Sequence, residues 1–408
     1  MANPRQLRNL TFGLGFGAVT AALAIAFMLA VVASQPAQAQ TYTVLHNFSG
    51  GEDGASPYAG VTLDGGGNVY GTAADGGIGY GTVYKLTHGS WVLDTLYSFP
   101  QGIDGAFPEA RVIFGPNHIL YGTTTFGGAA GAGTAFSLRP FPTPCRTTIC
   151  PWMATLLFSF IGSSPAYGDL TFDQEDNIYG AQSGNAVFEL TPPGTWNTET
   201  ILYSFSGSDG AGPEDGVIFD NAGTNLYGTT VEGGLAGYGE VFELTKVGNS
   251  WIETTVNNFR NGDDGGFLVA GVIFDPSGNL YGATTNAGTG GGGTVFELIP
   301  SDGSWTLHTL YSFTGGGHCG PQRTLFMDGA GNLYGTTFCD GAYGFGNVWE
   351  LTPSSGGNWT YTSLYDFTGG SDGANPLSNV TMDSSGNLYG TASAGGTQNV
   401  GVVWEITP

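Results

Sequence analysis

Acidic side chains recur at fixed places in this chain, and their spacing suggests oxygen-ligand chemistry first. The segments that join successive repeats read G-x-D-G-A-x-P or close to it, placing Asp53, Asp104, Asp209, Asp264 and Asp372 at matching positions. Carboxylates gathered on one face suit Ca²⁺, a hard cation that takes about six to eight oxygens. The alternative is local: Asp before Gly accepts hydrogen bonds from its own turn, while Gly supplies the positive φ. Recurrence in five repeats favours the turn, since one ion cannot use five distant loops. A second acidic row, Glu189, Glu243, Glu297, Glu350 and Glu405, sits between an aromatic residue and Leu or Ile. Paired acids cleave glycosides. Cations are too few to pair with this row, so hydroxyls or backbone amides are expected to hydrogen-bond to it.

Positions that break the repeat carry more information than those that obey it. In the sixth unit "TGGGHCGPQ" puts His318 at the Asp place and Cys319 at the Gly place, and the next glycine-rich loop carries Cys339 and Asp340. Cys, His and Asp side chains together ligate zinc. In an oxidising compartment an even cysteine count reads first as disulfides. A Cys319–Cys339 staple is therefore the expectation, with His318 left as the best-placed titratable group. Cys145 and Cys150 share the loop "PTPCRTTICP" and are expected to pair with each other. The third unit is shortened: "FIGSSPAYG" lacks the Asp and "AQSGNAVFEL" lacks most of the glycine-rich loop, a notch where a ligand could enter. His46, His88, His118 and His308 occupy repeat positions, with no G-x-S-x-G or H-E-x-x-H around them. "GTGGGGT" lacks the following Lys and helix of a phosphate loop.

The elements that hold these residues follow from a seven-fold tag. Tyr-Gly recurs at Tyr70, Tyr121, Tyr179, Tyr227, Tyr281, Tyr334 and Tyr389, and a glycine-rich, β-type period of this length marks propeller blades. Each unit parses into four strands: A ("GVIFD"), a Gly/Asn turn, B ("LYGTT"), a glycine-rich loop, C ("GTVFEL") and D ("WxxxxLYSF"). Strand C alternates with period two, its aromatics Tyr84, Phe136, Phe188, Phe242, Phe296, Trp349 and Trp404 each followed two residues on by Leu or Ile. Trp91, Trp152, Trp196, Trp251, Trp305 and Trp359 recur at the start of strand D and are expected to pack between blades rather than hold sugars. The last unit ends at strand C, while "YTVLHNF" at residues 42–48 is an unattached strand D, with His46 in the place of Tyr97, Tyr203, Tyr311 and Tyr365. Complementary fragments at the two ends imply that the N-terminal strand completes the last blade and removes free sheet edges. The fold expected is all-β: a seven-bladed β-propeller of four-stranded antiparallel blades over residues 40–408. D–A and B–C loops share one face, A–B and C–D loops the other, and the Asp row is expected around the channel mouth.

Residues 1–39 read as a signal peptide: Arg5 and Arg8, an apolar run from Phe12 to Ala33, then Ala37-Gln38-Ala39. The mature chain is expected to be secreted or periplasmic, monomeric and free of the membrane. The full chain has 9 Lys and Arg against 33 Asp and Glu, a net charge of -24. Without a basic stripe a nucleic-acid partner is excluded.

The repeated "GNLYGTT…GG…G.GTVFELTP" and "LYSFTGGSDGANP" resemble the GloVer-type tandem-repeat proteins, exported bacterial proteins of the choice-of-anchor group. The resemblance covers nearly the whole mature chain and implies no particular activity. Members often end in an anchoring segment, whereas this sequence stops at its last strand. The function expected is an exported, non-catalytic module that binds a glycan or small molecule on the D–A face or serves as an interaction scaffold. It needs no cofactor, and Ca²⁺ is the one cation the loops suggest. A metal-dependent lyase or hydrolase with its site at the channel mouth is the alternative.

Overall fold

Packing across a hairpin fixes the Tyr-Gly tag. The glycine of each strand B lies opposite the strand C aromatic, as Gly71 with Tyr84 and Gly335 with Trp349. A Cβ at either glycine would collide with the facing ring. The tyrosine points the other way, and its hydroxyl ties the blade together. In blade five Tyr281 donates to Glu297 at 2.6 Å and to Asp275 at 3.4 Å, while Asn279 donates to Asp275 at 2.9 Å. Asp275 also caps its own A–B turn, accepting the amides of Ser277 at 2.8 Å and Asn279 at 2.9 Å.

The structure, a computed structural model, describes residues 40–100, 102–140, 152–161, 166–191 and 198–408. The signal-peptide segment, Cys145, Cys150 and Trp196 lie outside the described residues. The strands form seven four-stranded antiparallel sheets. Blade five is representative, with strands Ile273–Phe274, Leu280–Thr284, Thr294–Ser301 and Ser304–Ser312 in that order. The closing blade contains Thr381–Met382, Leu388–Ala392, Val402–Thr407 and, as its outer strand, Thr41–Asn47. Closure by the N-terminal strand is thus present. Tyr42 stacks on Tyr365 of blade six at 3.7 Å, and Phe48 is fully buried. Among the described residues the only helical elements are two 3-10 turns, Gly102–Asp104 and Pro116–His118.

Apolar side chains cluster between neighbouring blades rather than in a single core. Tyr281, Val295, Phe313, Leu325, Leu333, Trp349 and Leu351 join blades five and six, and Tyr389, Val403, Val61, Val69 and Tyr84 join blades seven and one. The tryptophans of strand D belong to these seams: Trp305 meets Tyr227 at 6.1 Å, and Trp359 meets Tyr281 at 6.3 Å. Strand A is shorter than its sequence suggests, pairing over two residues per blade. Its remaining polar groups bond sideways around the ring: the Thr62 hydroxyl donates to Val112 O at 2.5 Å, and the Thr381 hydroxyl to Val61 O at 2.6 Å.

Candidate functional site

Each D–A loop runs from the outer strand to the axis, so a residue's place in the loop sets its distance from the channel. The repeated Asp comes first and stays at the rim. Asp104 accepts the strand D hydroxyl of Tyr97 at 3.0 Å, Asp209 that of Tyr203 at 2.6 Å, and Asp372 that of Tyr365 at 3.0 Å. In the closing blade His46 Nε2 takes the tyrosine's role, 3.0 Å from Asp53. Asp264 accepts the amides of Arg260 and Gly262, each at 3.1 Å. Four members of the Asp row are thus tethered to strand D, the outermost strand, through Tyr97, Tyr203, Tyr365 and His46, while Asp264 is held within its own loop. Burial pushes the Asp53, Asp209 and Asp372 carboxyls up, but the hydrogen bonds they accept outweigh it and hold all three below the usual range.

At blade six the register differs by one residue from the sequence reading. Cys319 bridges Cys339, whose amide donates to Cys319 O at 3.3 Å, as Ala55 bridges Asp75 in blade one. Cys319 thus holds the Ala place and His318 the Gly place, with φ 61° against 102° at Gly54. The two cysteines form a disulfide. His318 packs its ring on Phe267 at 5.4 Å, and Asp340 accepts the Gly341 amide at 2.8 Å within its own turn. Among the described residues no group of three or more His, Cys, Asp or Glu is placed to hold a metal ion. The strand C acids accept hydroxyls as expected: Tyr334 donates to Glu350 at 2.9 Å and Tyr389 to Glu405 at 2.8 Å.

The polar groups that converge are those at the inner end of the loop, which the sequence reading passed over. Counting back from the Val or Leu that opens strand A, the preceding two residues are small in blades one and five, Ala59-Gly60 and Ala270-Gly271. Elsewhere they are Ala110-Arg111, Gly168-Asp169, Asp215-Gly216, Arg323-Thr324 and Ser378-Asn379. A cavity of about 220 Å³ lies on the axis, lined by Arg111, Asp169, Asp215, Gly271, Thr324 and Asn379 from blades two to seven. Arg111 pairs with Asp169 across a blade boundary, Nη2 to Oδ2 at 2.9 Å and Nε to Oδ2 at 3.0 Å. Asp215, only 6% exposed, accepts the Gly271 amide at 2.8 Å and the Thr324 hydroxyl at 2.5 Å, joining blades four, five and six.

In the same D–A loops, next to the lining residues, Glu109, Tyr167, Glu214 and Arg323 are half-buried; Arg323 acts electrostatically on Glu109 and Glu214, and these two act on Tyr167. Burial pushes Glu109 up, aided by Asp75 and opposed by Arg323. Burial likewise pushes Glu214 up, aided by Glu232 and Asp215 and opposed by Arg323. Asp169 is raised by burial and by Asp215, against the pull of Arg111 and Arg323. An alignment of the repeats on strand A would have found Arg111, Asp169, Asp215 and Arg323, whose places hold small residues in blades one and five; the place of Glu109, Tyr167 and Glu214 holds Tyr58, Val269, Gln322 and Leu377 in the other blades and follows no rule.

No curated protein matches the sequence. Among solved structures the fold is similar to an ancestral GH74 enzyme, with TM-score 0.56 and 13% identity over 86% of this chain and 47% of that one. A gluconolactonase from Xanthomonas campestris aligns with TM-score 0.43 and 13% identity over 76% of this chain and 87% of that one. TolB from Acinetobacter baumannii aligns with TM-score 0.38 and 14% identity over 68% and 60% of the respective chains. At these identities the likeness is one of fold. The repeat is specific where the fold is general: the Gloeobacter/Verrucomicrobia repeat matches residues 30–224 and again 221–408, and the chain belongs to that family.

Proposed function

We propose that the protein is an exported, monomeric binding module that takes a small hydroxylated ligand, a sugar or the end of a glycan, at the D–A mouth of the axial channel. The observation that carries the reading is that Glu109, Tyr167, Glu214 and Arg323, half-buried beside the cavity-lining ends of the D–A loops of four blades, are electrostatically linked, Arg323 to both glutamates and these to Tyr167. A sugar offers several hydroxyls that both donate and accept, and half-buried carboxyls, a phenol and a guanidinium on different blades are suited to meet them. Exposed Phe126, Tyr343 and Phe345 on B–C loops of the same face supply apolar surface for a sugar ring. Extracytoplasmic location is supported by the signal-peptide pattern and by the disulfide. No helix among the described residues is long and apolar enough to cross a membrane. Calorimetric titration with a panel of mono- and oligosaccharides tests the reading. Saturable binding lost in Glu214→Ala is expected, and absence of binding across the panel would sink it.

A second reading, a lyase or hydrolase at the same mouth, is favoured by the raised Glu109 and Glu214, since carboxyls displaced toward neutral pH suit proton transfer. Conversion of the bound compound to product would select it.

A further inference from the structure

Arg323 is the one feature of the mouth that a neutral sugar does not explain. Its Nε donates to Leu377 O at 3.2 Å, which fixes the plane of the guanidinium. No Asp or Glu stands within ion-pair distance of it among the described residues, whereas Arg111 at the neighbouring level is paired at 2.9 Å. The other groups facing it are Glu109 from blade two, Asp169 from blade three and Glu214 from blade four, near enough to feel its charge but not in contact. A half-buried guanidinium with its Nη donors unmatched presents the fork that binds a planar carboxylate in bidentate fashion.

The surrounding repeat is altered in step with this residue. In five blades the first Thr of strand B donates its hydroxyl to a carbonyl of the next blade's loop: Thr72 to Ala110 at 3.0 Å, Thr123 to Ala166 at 3.1 Å, Thr229 to Ala270 at 2.9 Å, Thr336 to Ser378 at 2.9 Å and Thr391 to Ala59 at 2.8 Å. Blades three and five carry Ala181 and Ala283 there instead. These are the blades that precede Asp215 and Arg323, the two charged residues at the place where Ala110, Ala270, Ser378 and Ala59 accept the latch; in blade three the acceptor, Ala166, lies two residues earlier. The latch is missing only where a long or charged side chain replaces a small one, so Arg323 and Ala283 form a matched pair of departures.

We infer that the ligand at the mouth carries a carboxylate, a sugar acid held by Arg323, rather than a neutral sugar. This rests on the binding reading above. The carboxylate would bridge the guanidinium fork while the hydroxyls face Glu109, Glu214 and Tyr167. An anion settling beside carboxyls already displaced upward raises their proton affinity further, so binding takes up protons and weakens as pH rises.

The test is titration calorimetry of the folded chain with D-glucuronate, D-glucose and acetate, in two buffers of different ionisation enthalpy. Glucuronate is expected to bind at least tenfold more tightly than either of the others, with proton uptake. Arg323→Lys should lose most of that preference. The double variant Arg323→Ala with Ala283→Thr restores the latch of the other blades, so it should keep the wild-type melting temperature and lose glucuronate binding. Glucose bound as well as glucuronate, with the double variant unaffected, would overturn the inference and leave the binding reading standing. Acetate bound as well as glucuronate would reassign the site to small carboxylates and overturn the sugar-acid identity. Failure of all three probes would overturn both.

Discussion

Asp215 shows how much one inner-loop residue carries. It is buried and holds the Gly271 amide and the Thr324 hydroxyl, 2.8 Å and 2.5 Å away. Asp215→Ala removes the one oxygen that accepts both bonds, but Thr324 still stands 3.0 Å from the Gly271 amide. The loss should therefore be roughly 1–2 kcal/mol in a urea unfolding curve. Glu240 is the opposite case. It takes the place of Thr82, Thr134 and Thr294 in other blades, is fully buried, and its Oε1 has no hydrogen-bond partner. Burial, then Glu253 and Asp209, push its pKa up from 4.5 to about 8, against the hydrogen bond from Thr255. For an acid raised in the folded state, stability is fully present below the unfolded value and is lost as pH rises to the folded one. The protein should thus lose stability between pH 4.5 and 8 at this site. Glu240→Thr, which restores the repeat, should remove that slope and gain on the order of 2 kcal/mol at pH 8.5, after allowance for solvent. Unfolding midpoints at pH 5 and 8.5 check it, and equal slopes in the two proteins would refute it.

At the scale of elements, the closing strand and the disulfide do different work. Thr41–Asn47 completes the outer edge of the last blade, buries Phe48 and stacks Tyr42 on blade six. Removing residues 40–48 leaves an unpaired strand edge, which invites association with other chains. The truncated protein should melt at least 10 °C lower or aggregate, and an unchanged melting curve would refute closure as the source of stability. The Cys319–Cys339 bond ties residues separated by 20 positions. In the chain-entropy model such a loop is worth about 3 kcal/mol. Reduction should lower the unfolding free energy by about that amount while leaving the ring assembled, because the flanking sheets do not depend on the bond.

For the whole molecule, charge and cation dependence set the expectations. With 33 acidic residues against nine basic ones, the native state repels itself. Raising ionic strength from about 0.01 M to 0.15 M shortens the screening length from roughly 30 Å to 8 Å, so the melting temperature should rise. That gain should be the same with NaCl and with an ionically equivalent amount of CaCl₂. EDTA should leave the melting temperature unchanged, since the rim carboxylates already accept hydrogen bonds from tyrosines and amides. A cation bound to the folded state at about 100 times its dissociation constant adds about 2.7 kcal/mol. A large fall on chelation, restored by Ca²⁺, would therefore identify a true Ca²⁺ site.

The repeat by itself determined the number of blades, the strand order within each and the shared closing blade, and it placed Cys319 and Cys339 on loops of one face. These are local or periodic properties: glycine opposite an aromatic, a turn every few residues, and fragments that complement each other at the two ends. Only the tertiary structure decided where the functional groups meet. The Asp of G-x-D-G stands out in sequence because it repeats, yet its partners on strand D keep it at the rim. Arg111, Asp169, Asp215 and Thr324 lie far apart in the chain and follow no common motif. They meet because each D–A loop delivers its last residues to the axis, and ring closure converts matching positions in the repeat into neighbours around one cavity.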